Sequence, residues 1–161
     1  LETFGGHTYA AGLSLKEENL DAFTQRFLKL AADEIIPEQM TPQIDIDAVL
    51  DLQDINAKFM SELKKMNPFG PDNQKPVFCS LGVKDYGTSK LVGKDLEHIK
   101  LELIDDKSNT PIHGIAFGMH QHNTHIKNMK PFNICYTIEE NTYNGNTSLQ
   151  LMVKDIKEND I

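Results

Sequence analysis

The chain is poor in cysteine, with only Cys79 and Cys135, widely separated and in no CxxC pair. That spacing argues against a zinc ribbon or a disulfide framework and favours two reduced, small apolar residues. No apolar run approaches the roughly 18 to 20 residues that cross a bilayer, and the N-terminus lacks the basic and apolar regions of a secretion leader. A cytoplasmic protein without a membrane partner is therefore expected. Internal repeats and low-complexity tracts are absent. Aromatic residues make up 7% of the chain, a thin supply of rings for stacking. Positive charge is scarce too: the net charge of -8 argues against a general nucleic-acid binder, because phosphate neutralisation needs clustered Lys and Arg.

What is present is enough for one moderate core or two small ones: 161 residues, 39% of them hydrophobic. The acidic balance is uneven. Ser80 to Lys130 holds seven Lys and six acids, a balance of +1, so the remaining residues carry -9. Five of the six His lie in the same stretch, which leaves room for a mildly positive face on an acidic body. A mixed charged surface is also what any solvated domain carries.

Three textures follow one another along the chain. Phe4-Gly5-Gly6-His7 through Gly12 is rich in glycine and alanine, and Ser14 with Glu17 reads as a capping box that starts a helix at Leu15. Leu20, Phe23, Phe27 and Ala31 form a single stripe on that helix, which needs a partner surface, and Pro37 ends it. Ile44, Ile46 and Ala48 alternate as a short strand. A second helix, capped by Asp51 or Asp54, carries Ile55, Phe59, Leu63 and Met66 and stops at Asn67-Pro68. Pro68 to Asn73 has the composition of a tight, stiff connection.

From Pro76 onward short alternating runs take over: Val77 to Lys84, Ser89 to Val92, His98 to Ile104, Ile112 to Met119, Phe132 to Ile138 and Ser148 to Ile156. Ile99, Leu101 and Leu103 alternate with polar neighbours, as do Phe132, Ile134, Tyr136 and Ile138, and Leu149, Leu151 and Val153, giving each run one buried face. Asn144-Gly145 predicts a hairpin between the last two runs. The length suits a closed barrel of five or six strands better than a sandwich, which needs about 100 residues, though pattern alone does not decide. The expected class is α+β, helical elements followed by a small antiparallel β-barrel.

Adjacent glycines allow converging backbone N–H groups, a concavity that favours anions, and His7 can donate to a phosphate oxygen. A helix starting nearby would add unpaired N–H groups. Gly-Gly is also common in plain turns, and a lone His is more often structural. His120, His122 and His125 fall within six residues and invite a metal reading, with a flexible Asn-rich loop as the bland alternative. On the barrel, Tyr86 and Tyr143 are the exposed-ring candidates, with Lys84, Lys90, Lys94 and Lys100 as phosphate partners. The alternative is that the tyrosines pack at barrel ends and the lysines are ordinary surface.

Gly5-Gly6-His7-Thr8-Tyr9-Ala10-Ala11-Gly12 followed by Leu13-Ser14-Leu15 resembles the signature of the DHH-associated domain, which accompanies the DHH phosphoesterase domain. Asn67-Pro68-Phe69-Gly70 with Asn73, Pro76 and Phe78 is similar to the segment leading into the oligonucleotide-binding (OB) domain of RecJ-type exonucleases. Gly114 to Gly118, Asn141 to Gly145, Leu149-Gln150-Leu151 and Asp155-Ile156 resemble that domain's closing strands. The order and spacing cover nearly the whole chain. The resemblance implies a division into 1–43, the end of the DHH-associated domain; 44–75, a connecting strand, helix and turn; and 76–161, an OB-fold-like domain.

It further implies a bacterial enzyme that degrades single-stranded DNA from its 5' end in repair and recombination, using divalent metals, Mn or Mg, held by Asp and His of the DHH domain. No Asp-His-His sequence occurs here, so no catalytic residue and no bound metal are expected in this chain, which on its own should be inactive. With Leu1 as first residue and the strongest motif within five residues of it, the chain is expected to be a piece of a longer protein. Gly5, Gly6 and His7 carry over as nucleic-acid phosphate contacts, with one departure: Phe4 stands where many relatives have a small residue. The expected partner is single-stranded DNA. The alternative is a protein-interaction barrel docking single-strand-binding protein or a helicase, and a more distant one is a phosphoesterase of small nucleotides, which would not need the barrel.

Overall fold

The computed structural model describes residues 1–159, and the side chains of Asn109 and Tyr143 lie outside the described residues. The chain divides into two compact units, Leu1–Ile44 and Asp45 onward.

The first unit is an antiparallel hairpin followed by a helix. Strands β1 (Thr3–His7) and β2 (Ala10–Ser14) pair across a two-residue turn, so Gly5 and Gly6 lie inside a strand, opposite Gly12 and Ala11. This corrects the expectation of a glycine turn with converging N–H groups. A Cβ on Gly6 would come within 2.8 Å of the Ala11 Cβ, so the close approach of the two strands requires glycine there. Ser14 ends β2 and caps nothing: helix α1 runs Leu20–Glu34 behind a 3-10 turn at Glu17–Asn19, five residues later than the capping-box reading placed it. The extended pairing of the hairpin outcompeted the local cap. The stripe on α1 is present but not buried; Leu20 and Phe27 are 51% and 58% exposed, and no residue of this unit is buried.

The second unit holds the core. Strand β3 is only Ala48–Val49 and lies parallel to β4 (Phe78–Asp85); Ile44 and Ile46 precede it outside any strand, which corrects the longer strand expected there. A 3-10 turn at Leu52–Asp54 leads to helix α2 (Ala57–Lys64). Its cap is Asn56, whose Oδ1 accepts from the N–H of Lys58 and Phe59, rather than Asp51 or Asp54. The connection that follows is tied by Asn73, whose Nδ2 donates to Met66 O at 2.9 Å and Pro68 O at 2.8 Å.

The six alternating runs become β4, β5 (Lys90–Val92), β6 (His98–Asp105), β7 (Ser108–Ala116), β8 (Phe132–Tyr143) and β9 (Asn146–Glu158). The sheet order is β3-β4-β8-β9-β7-β6-β5, and the added β4–β6 pairing of Lys84 with Ile104 and Asp85 with Leu103 closes it. Five strands thus form a barrel in the order β4, β6, β7, β9, β8 and back to β4, all antiparallel except β7 beside β9. This is the OB-type Greek-key barrel, with β3 and β5 as additions at its margins. Asn144 and Gly145 both take positive φ, 49° and 79°, as the tight β8–β9 turn requires.

Period-2 alternation fills the barrel: Val83, Ile99, Leu101, Leu103, Phe132 and Tyr136 are fully buried in one cluster. Helix α3 (Asn123–Lys127), between β7 and β8, adds Ile126 to that core, where a flexible loop was expected. Among the described residues no helix is long and apolar enough to cross a membrane.

Candidate nucleic-acid interface

In barrels of this type the second and third strands, with the loops after the first and fourth, form the face that takes oligonucleotides. Here those parts are β6 and β7, the β4–β6 connection carrying β5, and the β8–β9 hairpin. Because Ile99, Leu101 and Leu103 point inward, His98, Lys100 and Glu102 point outward on β6. On β5, Lys90 pairs directly with Lys100.

Two like charges directly opposite one another are destabilising unless an anion lies between or beside them. The nearby acid makes its direct contacts elsewhere. Glu102 Oε2 accepts from Thr88 Oγ1 at 2.6 Å, and its Oε1 lies 3.6 Å from His113 Nδ1. The ion-paired lysines among the described residues are Lys64, Lys65, Lys75, Lys84, Lys107 and Lys127. Lys90, Lys94 and Lys100 are not among them. The strand pair therefore presents two lysines that have no ion-pair partner among the described residues, on a chain of net charge -8.

Beside it lies a groove of about 390 Å³ lined by Lys100, His113, Asn141, Asn146, Ser148 and Gln150. Strands β6 to β9 position these groups. In the β8–β9 ladder Asn141 pairs with Ser148, and Asn146 precedes Ser148 by two residues, so these three side chains leave the ribbon on one face. Thr142 and Thr147 bond to each other on the other face, Oγ1 to Oγ1 at 2.9 Å. The lining offers amide, hydroxyl and imidazole groups and one ammonium. A second groove, about 420 Å³, shares His113 and Ser148 and adds apolar walls from Leu52, Ile55, Ile112 and Leu149.

The β4–β6 connection is held by a buried acid. Asp85 is 1% exposed; its Oδ1 accepts from the N–H and Oγ of Ser89, at 3.1 and 2.6 Å, and Ser89 Oγ in turn accepts from Glu102 N at 3.0 Å. Its Oδ2 has no hydrogen-bond donor among the described residues and faces Lys127 Nζ at 3.9 Å. This chain of bonds fixes where β5, and with it Lys90, meets β6.

The sites expected from sequence are dispersed. Gly5, Gly6 and His7 are exposed on the hairpin of the first unit, where His7 Nδ1 accepts from Tyr9 N at 3.3 Å. Helix α1 begins at Leu20, so its N-terminus is not adjacent in sequence to the Gly-Gly-His segment. Tyr86 is 49% exposed at the end of β4, its N–H bonded to Glu102 O at 2.8 Å. The Tyr143 side chain lies outside the described residues. Lys84 pairs with Asp106 at 3.2 Å, and Lys94 is exposed in the loop after β5. Of the expected basic set, the fold brings Lys90 and Lys100 together. The groove also takes in His113, Asn141, Asn146, Ser148 and Gln150, which the sequence did not single out as binding residues; for Asn146, Ser148 and Gln150 the signal was the polar phase of the same alternation that identified Leu149 and Leu151.

The His-rich segment is accounted for by a residue far along the chain. Glu158 on β9 accepts from His122 Nδ1 at 2.7 Å and lies 3.2 Å from His125 Nδ1, while His125 Nε2 donates to Pro131 O at 3.1 Å. Direct imidazole–carboxylate contact leaves no room for an ion between them. Among the described residues no group of three His, Cys, Asp or Glu is arranged to hold a metal.

Comparisons with known proteins agree with this architecture. The family model described as the RecJ OB domain matches residues 46–155. The single-stranded-DNA-specific exonuclease RecJ of Haemophilus influenzae is 29% identical over 154 residues, covering 96% of this chain and 26% of that protein. The protein of the same name from Bacillus subtilis is 28% identical over 156 residues, covering 96% of this chain and 19% of its own length. A crystal structure of RecJ from Thermus thermophilus in complex with Mn2+ superposes with a TM-score of 0.75 at 19% identity, covering 99% of this chain and 22% of that one; a second, with Mg2+, gives 0.74. The chain spans about a quarter or less of the length of these RecJ proteins.

Proposed function

The chain belongs to the RecJ OB-domain family, and on that premise we propose that it is the strand-handling part of a metal-dependent 5'-to-3' single-stranded-DNA exonuclease of bacterial repair and recombination. The observation that carries this reading is the Lys90–Lys100 pair, opposed across two strands with no ion-pair partner among the described residues, at the edge of a polar groove. Phosphates of a single strand meet the two ammonium groups, and base edges meet the amides and hydroxyls of the β8–β9 ribbon. Tyr86 offers a stacking ring, and Lys94 and Lys84 extend the same surface.

The phosphodiester is hydrolysed elsewhere in the longer enzyme, where divalent metals would activate water and stabilise the leaving oxygen. This chain contributes binding, and by itself is inactive. Gly5, Gly6 and His7 hold strand phosphate beside that centre. In the complete enzyme His7→Ala raises KM for short oligonucleotides while metal affinity is unchanged; identical steady-state kinetics would remove His7 from the reading.

The direct test is fluorescence anisotropy with labelled single-stranded and duplex oligonucleotides, from about 20 to 200 mM salt. Preference for the single strand, with binding that weakens as salt rises, is expected. Lys90→Glu and Lys100→Glu should each weaken it about tenfold and flatten the salt slope by roughly 0.7 for every phosphate no longer neutralised. The net charge of -8 favours a second reading, a barrel that docks single-strand-binding protein or a helicase. Failure to bind any oligonucleotide at low salt would select it.

A further inference from the structure

Cys79 and Cys135, 56 residues apart in sequence, are direct partners in the antiparallel β4–β8 ladder. Both are free thiols, each 8% exposed. Their neighbours Phe78, Ser80, Ile134 and Tyr136 turn inward, with Ser80 Oγ bonded to Tyr136 Oη at 2.7 Å, so both thiols stand on the outer wall of the barrel.

The kind of pair they form follows from the backbone. Cys79 O accepts from Leu50 N at 2.8 Å, and two residues earlier Val77 O accepts from Asp47 N at 2.8 Å. In an extended strand a residue's N–H and C=O point to the same side, so both polar groups of Cys79 are turned toward β3 and away from β8. Cys79 and Cys135 are therefore a non-hydrogen-bonded pair, the narrow kind, with Cα atoms roughly 4.5 Å apart and side chains close together. That separation is inside the 4.4–6.8 Å that a disulfide spans.

We propose that Cys79 and Cys135 are an oxidation site, closing under a peroxide or a small-molecule disulfide into a cross-strand disulfide that staples β4 to β8. One S–S bond forms as two S–H bonds break. The two thiols give up two electrons and two protons, and the oxidant takes them, a peroxide going to water and a disulfide to two thiols. The flanks leave an approach: Val49, in register with Cys79 on β3, is 62% exposed, and Asp155, opposite Cys135 on β9, is exposed. Burial raises both thiols above their ordinary range. The Asp155 charge and the neighbouring thiol push Cys135 further up, against a backbone hydrogen bond from Asp155 and the charge of Lys154. The attacking thiolate is thus scarce at neutral pH, and closure quickens as the solution becomes alkaline.

The test uses the whole chain, exposed in its native state to hydrogen peroxide or oxidised glutathione at mildly alkaline pH. Free thiols are counted after denaturation, and intact mass and non-reducing peptide maps identify the product. The expected result is joint loss of both thiols, a mass lower by two hydrogens, a linked Cys79–Cys135 peptide and a Tm higher by about 10 °C that a dithiol reductant reverses. Cys79→Ser, or Cys135→Ala should the first variant fold poorly, leaves the surviving thiol free or carrying one adduct and abolishes the rise. Independent adducts on both cysteines of the unaltered chain, covalent dimers, or two thiols intact after prolonged exposure would each overturn the proposal.

Discussion

Two buried polar residues in the barrel do different work. Asp85 is kept by the two bonds it accepts from Ser89, which set the entry of β5. Removing it would strand those donors, a loss costing about 1–3 kcal/mol. Tyr136 spans the core and bonds Ser80; burial pushes its phenol well above the ordinary tyrosine range, a shift the Ser80 bond only partly offsets. The unfolded chain releases that proton near pH 10 while the folded chain keeps it, so the unfolded state binds fewer protons and stability falls as pH climbs beyond that point. The raised thiols of Cys79 and Cys135 act in the same direction from about pH 9. Urea melts between pH 8 and 11 should show this decline, and Tyr136→Phe should lessen the part above pH 10; an unchanged slope would mean the phenol titrates normally.

Elements whose identity rests on local pattern were legible: all six runs, which became the five barrel strands and marginal β5, and the β8–β9 hairpin through Asn144-Gly145. Ends were less so, because β8 and β9 extend past their apolar stretch on backbone pairing alone, which side-chain pattern does not register. What depends on pairing partners was not legible. Glu158 reaching His122 and His125, and Cys79 facing Cys135, require knowing which strands neighbour which. The Gly-Gly-His segment misled for the same reason, since glycine's freedom permits a turn while strand pairing with Gly12 and Ala11 decides against one. The first unit, legible as a helix with an apolar stripe, has no fully buried residue of its own, only half-buried Leu15, Phe23 and Ala31 and the Phe23–Phe27 stack. Amide exchange in Leu20–Glu34 should run much faster than in β6 or β8, and limited proteolysis should leave a product starting near Asp45. Protection of α1 equal to that of the barrel strands would contradict this.

At the scale of the molecule, an acidic body with a local basic strand pair sets the terms of any DNA binding. Long-range attraction is weak at a net charge of -8, so affinity must come from contacts in the groove. Few rings face that groove among the described residues, which makes the salt dependence expected from Lys90 and Lys100 the more telling measurement. Strand order has a different consequence, for biosynthesis. The last strand in the sequence, β9, does not join at an edge but lies between β8 and β7. While a ribosome is still making it, β7 and β8 each present an open edge, the kind of surface on which neighbouring chains pair wrongly. A nascent chain stalled before Asn146 would carry two such edges at once. The barrel is thus sealed by its final dozen or so residues, and the interval before they emerge is when a chaperone would matter most.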